Sequence, residues 1–177
     1  AQSYPEGLHS SVQAAISKIE GELGLTFGNP ARPLLVSVRS GARVSMPGMM
    51  ETVLNVGLND STREGLITQS GDPHFVYDAQ RRLIQMYSDV VMEKAEGIIP
   101  LEGQGIRVQL EYELEKLKQN RNLTSDTELS VDDLRVLVDI YKAKVMEIFG
   151  KEFPEDPWVQ LWGAITAVFQ SWNGKRA

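Results

Sequence analysis

The chain contains no cysteine, and this absence excludes several kinds of chemistry at once. Without thiols there is no disulfide framework, no thiolate metal site and no cysteine nucleophile. No apolar run approaches the roughly 20 residues that a transmembrane helix requires, so we expect no membrane partner. The lack of cysteine allows a reducing cytoplasm, and we expect a cytoplasmic location. Of the 2 histidines, neither His9 nor His74 has the neighbours of a catalytic triad or of a two-histidine metal motif. We expect structural or surface roles for both.

Positive charge is also scarce, because 18 lysines and arginines face 24 acidic residues and the net charge is −6. No basic stripe with interleaved aromatic side chains occurs, so we expect no nucleic-acid partner. The acidic residues cluster at 111–115 and 132–133, where alternation and helix-start positions indicate solvated faces rather than metal ligands. We therefore expect no metal ligands in the chain, and a bound anion must be held by a few local groups.

Hydrophobic periodicity sets the expected fold. At 177 residues and 42% hydrophobic content, the chain can bury the core of one domain or of two small subdomains. Apolar residues recur at helical spacing over 8–23, and β-prone runs occupy 34–38 and 52–56. Helical patterns follow at about 60–67, 73–91, 106–119, 130–149 and 157–172. We predict an α+β fold, with a short β element in residues 1–57 and a predominantly helical subdomain in residues 58–177.

The two predicted strands make a poor sheet, because an isolated two-stranded ribbon is marginally stable in water. The sequence also begins with alanine rather than methionine. We expect the chain to be part of a longer protein that supplies further strands.

The most informative stretch is residues 34–60, which read LLVSVRSGARVSMPGMMETVLNVGLND. The first strand ends in Arg39, and a long loop rich in glycine, proline and methionine follows as far as Glu51. An arginine at a strand end can make bidentate contacts to phosphate, and the backbone around Gly48 can approach phosphate oxygens closely. The loop matches neither of the two common phosphate-binding fingerprints. The residues leave two interpretations open: a phosphate-binding loop, or a surface hairpin whose arginine pairs with Glu51.

Two features of the helical part have a structural interpretation as well as a functional one. Arg81 and Arg82 lie near Asp78, which favours an ion pair on the helix surface over a docking face. The aromatic residues of the last helix follow helical spacing, which favours a core or subdomain interface over a base-stacking platform: Trp158, Trp162, Phe169 and Trp172. Two alternative functions stay open, a nucleotide-binding module without catalysis and a helical protein-interaction module.

Residues 34–60 closely resemble the nucleotide-binding domain of the pyruvate, phosphate dikinases. Four further segments support the resemblance: PHFVYDAQRRLIQMYSDVVME, the helix start SVDDL, GKEFPEDP and AVFQSWNGKRA. The similarity runs from about residue 22 to the end and weakens in the loops around 94–129. Related dikinases share the arginine-serine start but not the SMPGMM run that follows it.

This resemblance implies an ATP-grasp-like fold in which two lobes hold Mg-ATP, and the chain would form part of one lobe. Arg39 matches the catalytic arginine that contacts the ATP phosphates, and Gly48 and Met50 match the loop that covers the nucleotide. ATP and Mg²⁺ are the implied cofactors, and the resemblance places the Mg²⁺ ligands outside this chain. It likewise implies that the glycine-rich, lysine-bearing opening segment of the domain lies outside it.

The resemblance also implies the reaction of a parent phosphotransferase. ATP, phosphate and pyruvate are converted into AMP, diphosphate and phosphoenolpyruvate through a phosphohistidine on another domain. The expected partners are ATP and the remaining domains of the parent enzyme, which we expect to be homo-oligomeric. Because its active site is incomplete, we expect the isolated chain to be inactive.

Overall fold

A computed structural model describes residues 4–40 and 52–172 of the chain. Within these ranges the fold is mixed and mostly helical, in agreement with the predicted α+β class. The elements are α1 Leu8–Leu23, β1 Thr26–Phe27, β2 Pro33–Leu34, β3 Val36–Arg39, β4 Thr52–Val56, α2 Asp60–Ser70, α3 Pro73–Tyr87, α4 Ile106–Arg121, α5 Val131–Phe149 and α6 Pro157–Ser171. No helix in the described ranges is long and apolar enough to cross a membrane.

Local capping signals explain why most helices start and end near their predicted positions. Asp72 accepts a hydrogen bond from the backbone N–H of Phe75 at 3.0 Å and starts α3. Ser130 accepts one from the N–H of Asp133 at 3.1 Å and starts α5. Gly150 ends α5 at φ 67°, a left-handed conformation that glycine adopts without strain. Short-range chemistry therefore sets these boundaries.

The helix predicted over 73–91 is an α-helix as far as Tyr87 and then widens into a π-helix at Ser88–Lys94. The N–H of Ala95 bonds to the carbonyl of Val90, five residues back, at 3.1 Å. A hydrogen bond of 2.9 Å between the side chains of Lys94 and Asp89 has the same spacing. These contacts favour a wider turn over a regular α-helix.

Strands β3 and β4 form an antiparallel hairpin with an irregular register. Val38 lies opposite Val53, but Val36 lies opposite Val56, so β4 holds an extra residue between the two pairs. Asn55 takes up this bulge with φ 58°, in the left-handed region. As a result both Val53 and Val56 are fully buried, although their odd spacing would place them on opposite faces of a regular strand.

The hydrophobic core lies where the helices meet this hairpin. Helix α3 packs against both α5 and β4, and α6 packs against both β3 and β4. Residues from α3, α5, α6 and β4 have side chains with no exposed surface: Val53, Val56, Val76, Leu83, Ile84, Leu134, Leu137, Tyr141, Val145 and Ala164. The hairpin is therefore held between helices that come from distant parts of the sequence.

The predicted surface pairing of Arg81 and Arg82 was correct for Arg82 and wrong for Arg81. Arg82 is exposed and pairs with Asp78 at 2.6 Å. Arg81 is only 2% exposed and binds the same carboxylate at 2.6 Å, with Asp126 at 3.7 Å. Burial alone would raise the pKa of Asp78, but hydrogen bonds and charge from Arg81 and Arg82 outweigh it and lower that pKa. Arg81 is therefore part of the helix packing and is not exposed as a docking face.

The positive φ of Asn55 generates a testable prediction. Asn55→Val places a β-branched side chain in a conformation that it strongly disfavours, and we expect it to lower the free energy of unfolding by about 1–3 kcal/mol. Asn55→Gly should change it far less, because glycine adopts positive φ readily. Urea denaturation of the purified chain measures both.

The neighbouring substitution Leu54→Val serves as the control, because Leu54 is partly exposed and is not among the residues with positive φ. An equal loss of stability in Asn55→Gly and Asn55→Val would show that the backbone conformation is not what Asn55 provides.

Candidate functional site

Arg39 lies at the end of β3, where alternation along the strand directs it towards solvent. Val36 and Val38 are partly buried, whereas Ser37 and Arg39 are exposed. Arg39 pairs in register with Thr52, the first residue of β4. The strand therefore presents the guanidinium group of Arg39 at the loop end of the hairpin, where the glycine- and methionine-rich sequence begins.

Arg39 differs from most cations of the protein in having no carboxylate partner in the described part of the chain. Apart from Arg39 and Arg32, every lysine and arginine in residues 4–40 and 52–172 takes part in an ion pair. Arg32 lies close to Gly24, the C-cap of α1, so it borders the negative end of that helix dipole. Arg39 has no such neighbour among the described contacts, and its positive charge can meet an external anion.

Two other predicted site residues, Gly48 and Met50, lie outside the described residues, as does Glu51. The structure therefore describes where the loop leaves β3 and where it enters β4. The choice between a phosphate-binding loop and a pairing of Arg39 with Glu51 is not tested by the described contacts.

The far end of the hairpin is anchored by Gln160, a residue that the sequence patterns did not single out. Its side chain is fully buried in α6. The amide oxygen accepts a hydrogen bond from the N–H of Gly57 at 2.9 Å. The amide nitrogen donates to the carbonyls of Leu58 at 3.2 Å and of Pro154 at 2.8 Å. One side chain thus joins the segment that leaves β4 to the segment that leads into α6.

The near end of the hairpin is joined to the other end of α6. The indole N–H of Trp172, just after α6, donates to the hydroxyl of Ser40 at 2.9 Å. Ser40 directly follows Arg39. Helix α6 is therefore bonded to the hairpin at both ends, and one bond lies next to the candidate site.

A signal for Gln160 exists in the sequence, whereas no comparable signal exists for the Trp172 contact. Gln160 is a lone polar residue on the stripe that also carries Ala164, Ala167 and Val168, all of which are buried. A polar residue on an apolar stripe indicates a buried hydrogen-bonding role. The partner of Trp172 is 132 positions away, and no local pattern indicates it.

The histidines and the tryptophans of α6 have structural contacts. The ring of His9 lies against that of Trp162 with centroids 3.8 Å apart. Nε2 of His74 lies 2.9 Å from the carbonyl oxygen of Leu129. Trp158 packs edge-on against Phe27. These contacts agree with the expected structural or surface roles of the two histidines. Trp158, Trp162 and Phe169 are partly buried, as expected for a packing interface, whereas Trp172 is 45% exposed.

A cleft of about 700 Å³ lies between the π-helix and α6, away from the candidate site. Its walls are mainly apolar and include Tyr87, Met92, Trp158 and Trp162. Arg39 does not line this cleft. No group of three or more potential metal ligands occurs among the residues that the structure describes. The candidate site thus consists of the exposed guanidinium of Arg39, which can bind an anion, and no metal-binding cluster lies beside it among the described residues.

Comparison with known proteins gives consistent matches over the whole chain. The family described as "Pyruvate phosphate dikinase, AMP/ATP-binding domain" matches residues 2–177. The chain is 47% identical over 176 residues to a pyruvate, phosphate dikinase of Rhizobium meliloti, which covers 99% of the chain and 18% of that protein. It is 46% identical over 171 residues to the Clostridium symbiosum enzyme, covering 96% and 18%. The chain therefore spans less than a fifth of the length of these relatives.

Gln160 allows a direct test of how the hairpin is anchored. Gln160→Leu removes the partner of the buried N–H of Gly57, of the buried carbonyl of Leu58 and of the partly buried carbonyl of Pro154. We expect it to lower the free energy of unfolding by about 3 kcal/mol or more, because each unsatisfied buried group costs about 1–3 kcal/mol. The measurement is the midpoint of urea denaturation at an unchanged m-value.

Gln170→Leu on the same helix is the matched control. The amide oxygen of Gln170 is buried and has no hydrogen-bond partner within the described structure, so this substitution should be nearly neutral. Similar losses in the two variants would mean that the three bonds of Gln160 are not the source of its effect.

Proposed function

Because the chain belongs to the family of pyruvate phosphate dikinase AMP/ATP-binding domains, we propose that it forms part of an ATP site in which Arg39 contacts the phosphates. The observation that carries this proposal is the exposed guanidinium of Arg39 at the end of β3, without a carboxylate partner among the described residues. A guanidinium in this setting can make two parallel hydrogen bonds to phosphate oxygens.

The chemistry of phosphoryl transfer explains why such a group is useful. Charge is spread over the phosphate oxygens in the transition state, and catalysis depends mainly on positioning and electrostatic stabilisation. In this proposal Arg39 neutralises developing negative charge. The backbone around Gly48 and Met50 covers the nucleotide, as the resemblance of this loop to the family implies.

The whole reaction belongs to a longer protein. We infer that ATP transfers a diphosphate group to a histidine on another domain and releases AMP. Phosphate then accepts one phosphoryl group to give diphosphate, and the remaining phosphohistidine converts pyruvate into phosphoenolpyruvate. The chain spans about 18% of its relatives, so the isolated chain would lack most of this machinery.

The proposed architecture is one lobe of an ATP-grasp-like domain that carries a helical insertion. Residues 1–57 would belong to the lobe and 58–177 to the helical subdomain and the start of the return to the lobe. The hydrogen bonds of Gln160 support this division, since they join the departing segment at Gly57 to the returning segment at Pro154. A location in the cytoplasm and a homo-oligomeric parent remain part of the proposal.

Mg²⁺ is the remaining implied cofactor. A divalent cation of this kind prefers several oxygen ligands, usually carboxylates together with substrate phosphates. The described residues contain no cluster of three or more acidic or histidine side chains that could hold it. As the resemblance to the family implies, we propose that its protein ligands belong to other parts of the parent enzyme.

Arg39→Lys in the full-length dikinase tests the proposed site. Lysine keeps the charge but cannot make the planar two-pronged contact, so we expect the rate of ATP-dependent histidine phosphorylation to fall at least about tenfold. The measurement is AMP formation in a single turnover, with thermal unfolding recorded on the same protein.

Arg32→Lys is the matched control, because Arg32 is also exposed and without an ion pair among the described residues. It should leave the rate of AMP formation unchanged. A normal rate in Arg39→Lys would refute the phosphate role of Arg39, and unfolding of that variant would instead make Arg39 a structural residue.

A further inference from the structure

Helix α6 matches the length of the hairpin that it contacts. From Gln160 to Trp172 the helix rises about 18 Å at about 1.5 Å per residue. From Thr52 to Gly57 the strand extends about 17 Å at about 3.4 Å per residue. Because the lengths agree, Gln160 reaches the end of β4 while Trp172 reaches the end of β3.

We propose that Trp172 is a positioning residue for the ATP site, because its indole N–H holds Ser40 and so sets where Arg39 leaves β3. This inference rests on the proposed phosphate role of Arg39. It gives the residue that follows α6 a role in positioning Arg39, in addition to its packing.

The exposure of Trp172 supports a role for its hydrogen bond. The side chain is 45% exposed, so burial of its apolar surface accounts for only part of its contribution. An indole N–H can only donate, and the hydroxyl of Ser40 supplies an acceptor at 2.9 Å. Phe169 packs edge-on against the indole, with ring centroids 5.3 Å apart, and so limits its orientation.

The position of the bond explains why Arg39 would respond to it. The ladder between β3 and β4 ends with the pair Arg39 and Thr52. The next residue, Ser40, accepts the hydrogen bond from Trp172. A misplacement of about 1 Å in a group that positions a reacting phosphate can reduce a rate by up to about a hundredfold.

The experiment uses the full-length dikinase and compares its two half-reactions. Trp172→Phe keeps an aromatic ring but removes the donor, and Ser40→Ala removes the acceptor. We expect either change to slow ATP-dependent histidine phosphorylation by about threefold to tenfold. Phosphorylation of the same histidine from phosphoenolpyruvate should keep its rate, because that step uses other domains.

The double variant and a conservative variant separate positioning from general damage. Trp172→Phe combined with Ser40→Ala should be no slower than the slower of the two single variants, because the bond between Trp172 and Ser40 is already absent in each of them. Ser40→Thr keeps the hydroxyl and should therefore keep most of the rate of ATP-dependent histidine phosphorylation. Ser171→Ala is the neighbouring control, since that hydroxyl bonds to Val168 within α6 and should leave both half-reactions unchanged.

Three outcomes would overturn the inference: multiplicative losses in the double variant, equal losses in both half-reactions, or an unchanged ATP step in both single variants. Ser40→Ala keeps the test valid if Trp172→Phe fails to fold. Arg39→Lys in the same assay distinguishes the two proposals. If it slows the ATP step and Trp172→Phe does not, only the positioning role fails, whereas a normal Arg39→Lys rate removes the phosphate role itself.

Discussion

The buried amide of Gln160 is the interaction on which the arrangement of the molecule depends. It uses one acceptor and two donors to join Gly57, Leu58 and Pro154, segments about 100 positions apart in the sequence. In a dry environment these backbone groups need partners, and an unpaired one is costly. These bonds form a junction that connects the end of the hairpin to the start of helix α6. Their relative position therefore follows from a few directional bonds as well as from apolar packing.

The helix that carries Gln160 also connects the candidate site to the rest of the fold. Helix α6 begins beside Gln160 and ends beside Ser40, so its length spans the hairpin. Arg39 stands at the end that Trp172 holds. In the proposed function this arrangement fixes a cation before any phosphate arrives, and such preorganisation is what makes electrostatic stabilisation effective. Nearly all other described lysines and arginines pair with carboxylates, whereas the guanidinium of Arg39 does not and can bind phosphate.

Much of the helical structure was predictable because its signals are local. Asp72 and Ser130 cap the helices that follow them, and Gly150 ends one, since each acts on backbone groups within a turn. The candidate Arg39 was also visible, as a cation after an apolar run and before a loop rich in glycine. The resemblance of this segment to dikinases identified the family, which the comparison over residues 2–177 confirms. Its roles for Arg39, Gly48 and Met50 stay predictions.

Other features depend on contacts between distant residues, and local patterns carried little information about them. The bulge at Asn55 is needed to bury Val53 and Val56 together, and only the packing of helices against the hairpin imposes that requirement. The burial of Arg81 follows from the meeting of α3, α5 and the turn that carries Asp126.

The sequence by itself determined the helices, the strand that ends in Arg39 and the family, because caps, periodicity and motifs act over a few neighbouring residues. Only the tertiary structure decided that Trp172 meets Ser40 and that Gln160 closes the junction, because these bonds join residues more than 100 positions apart.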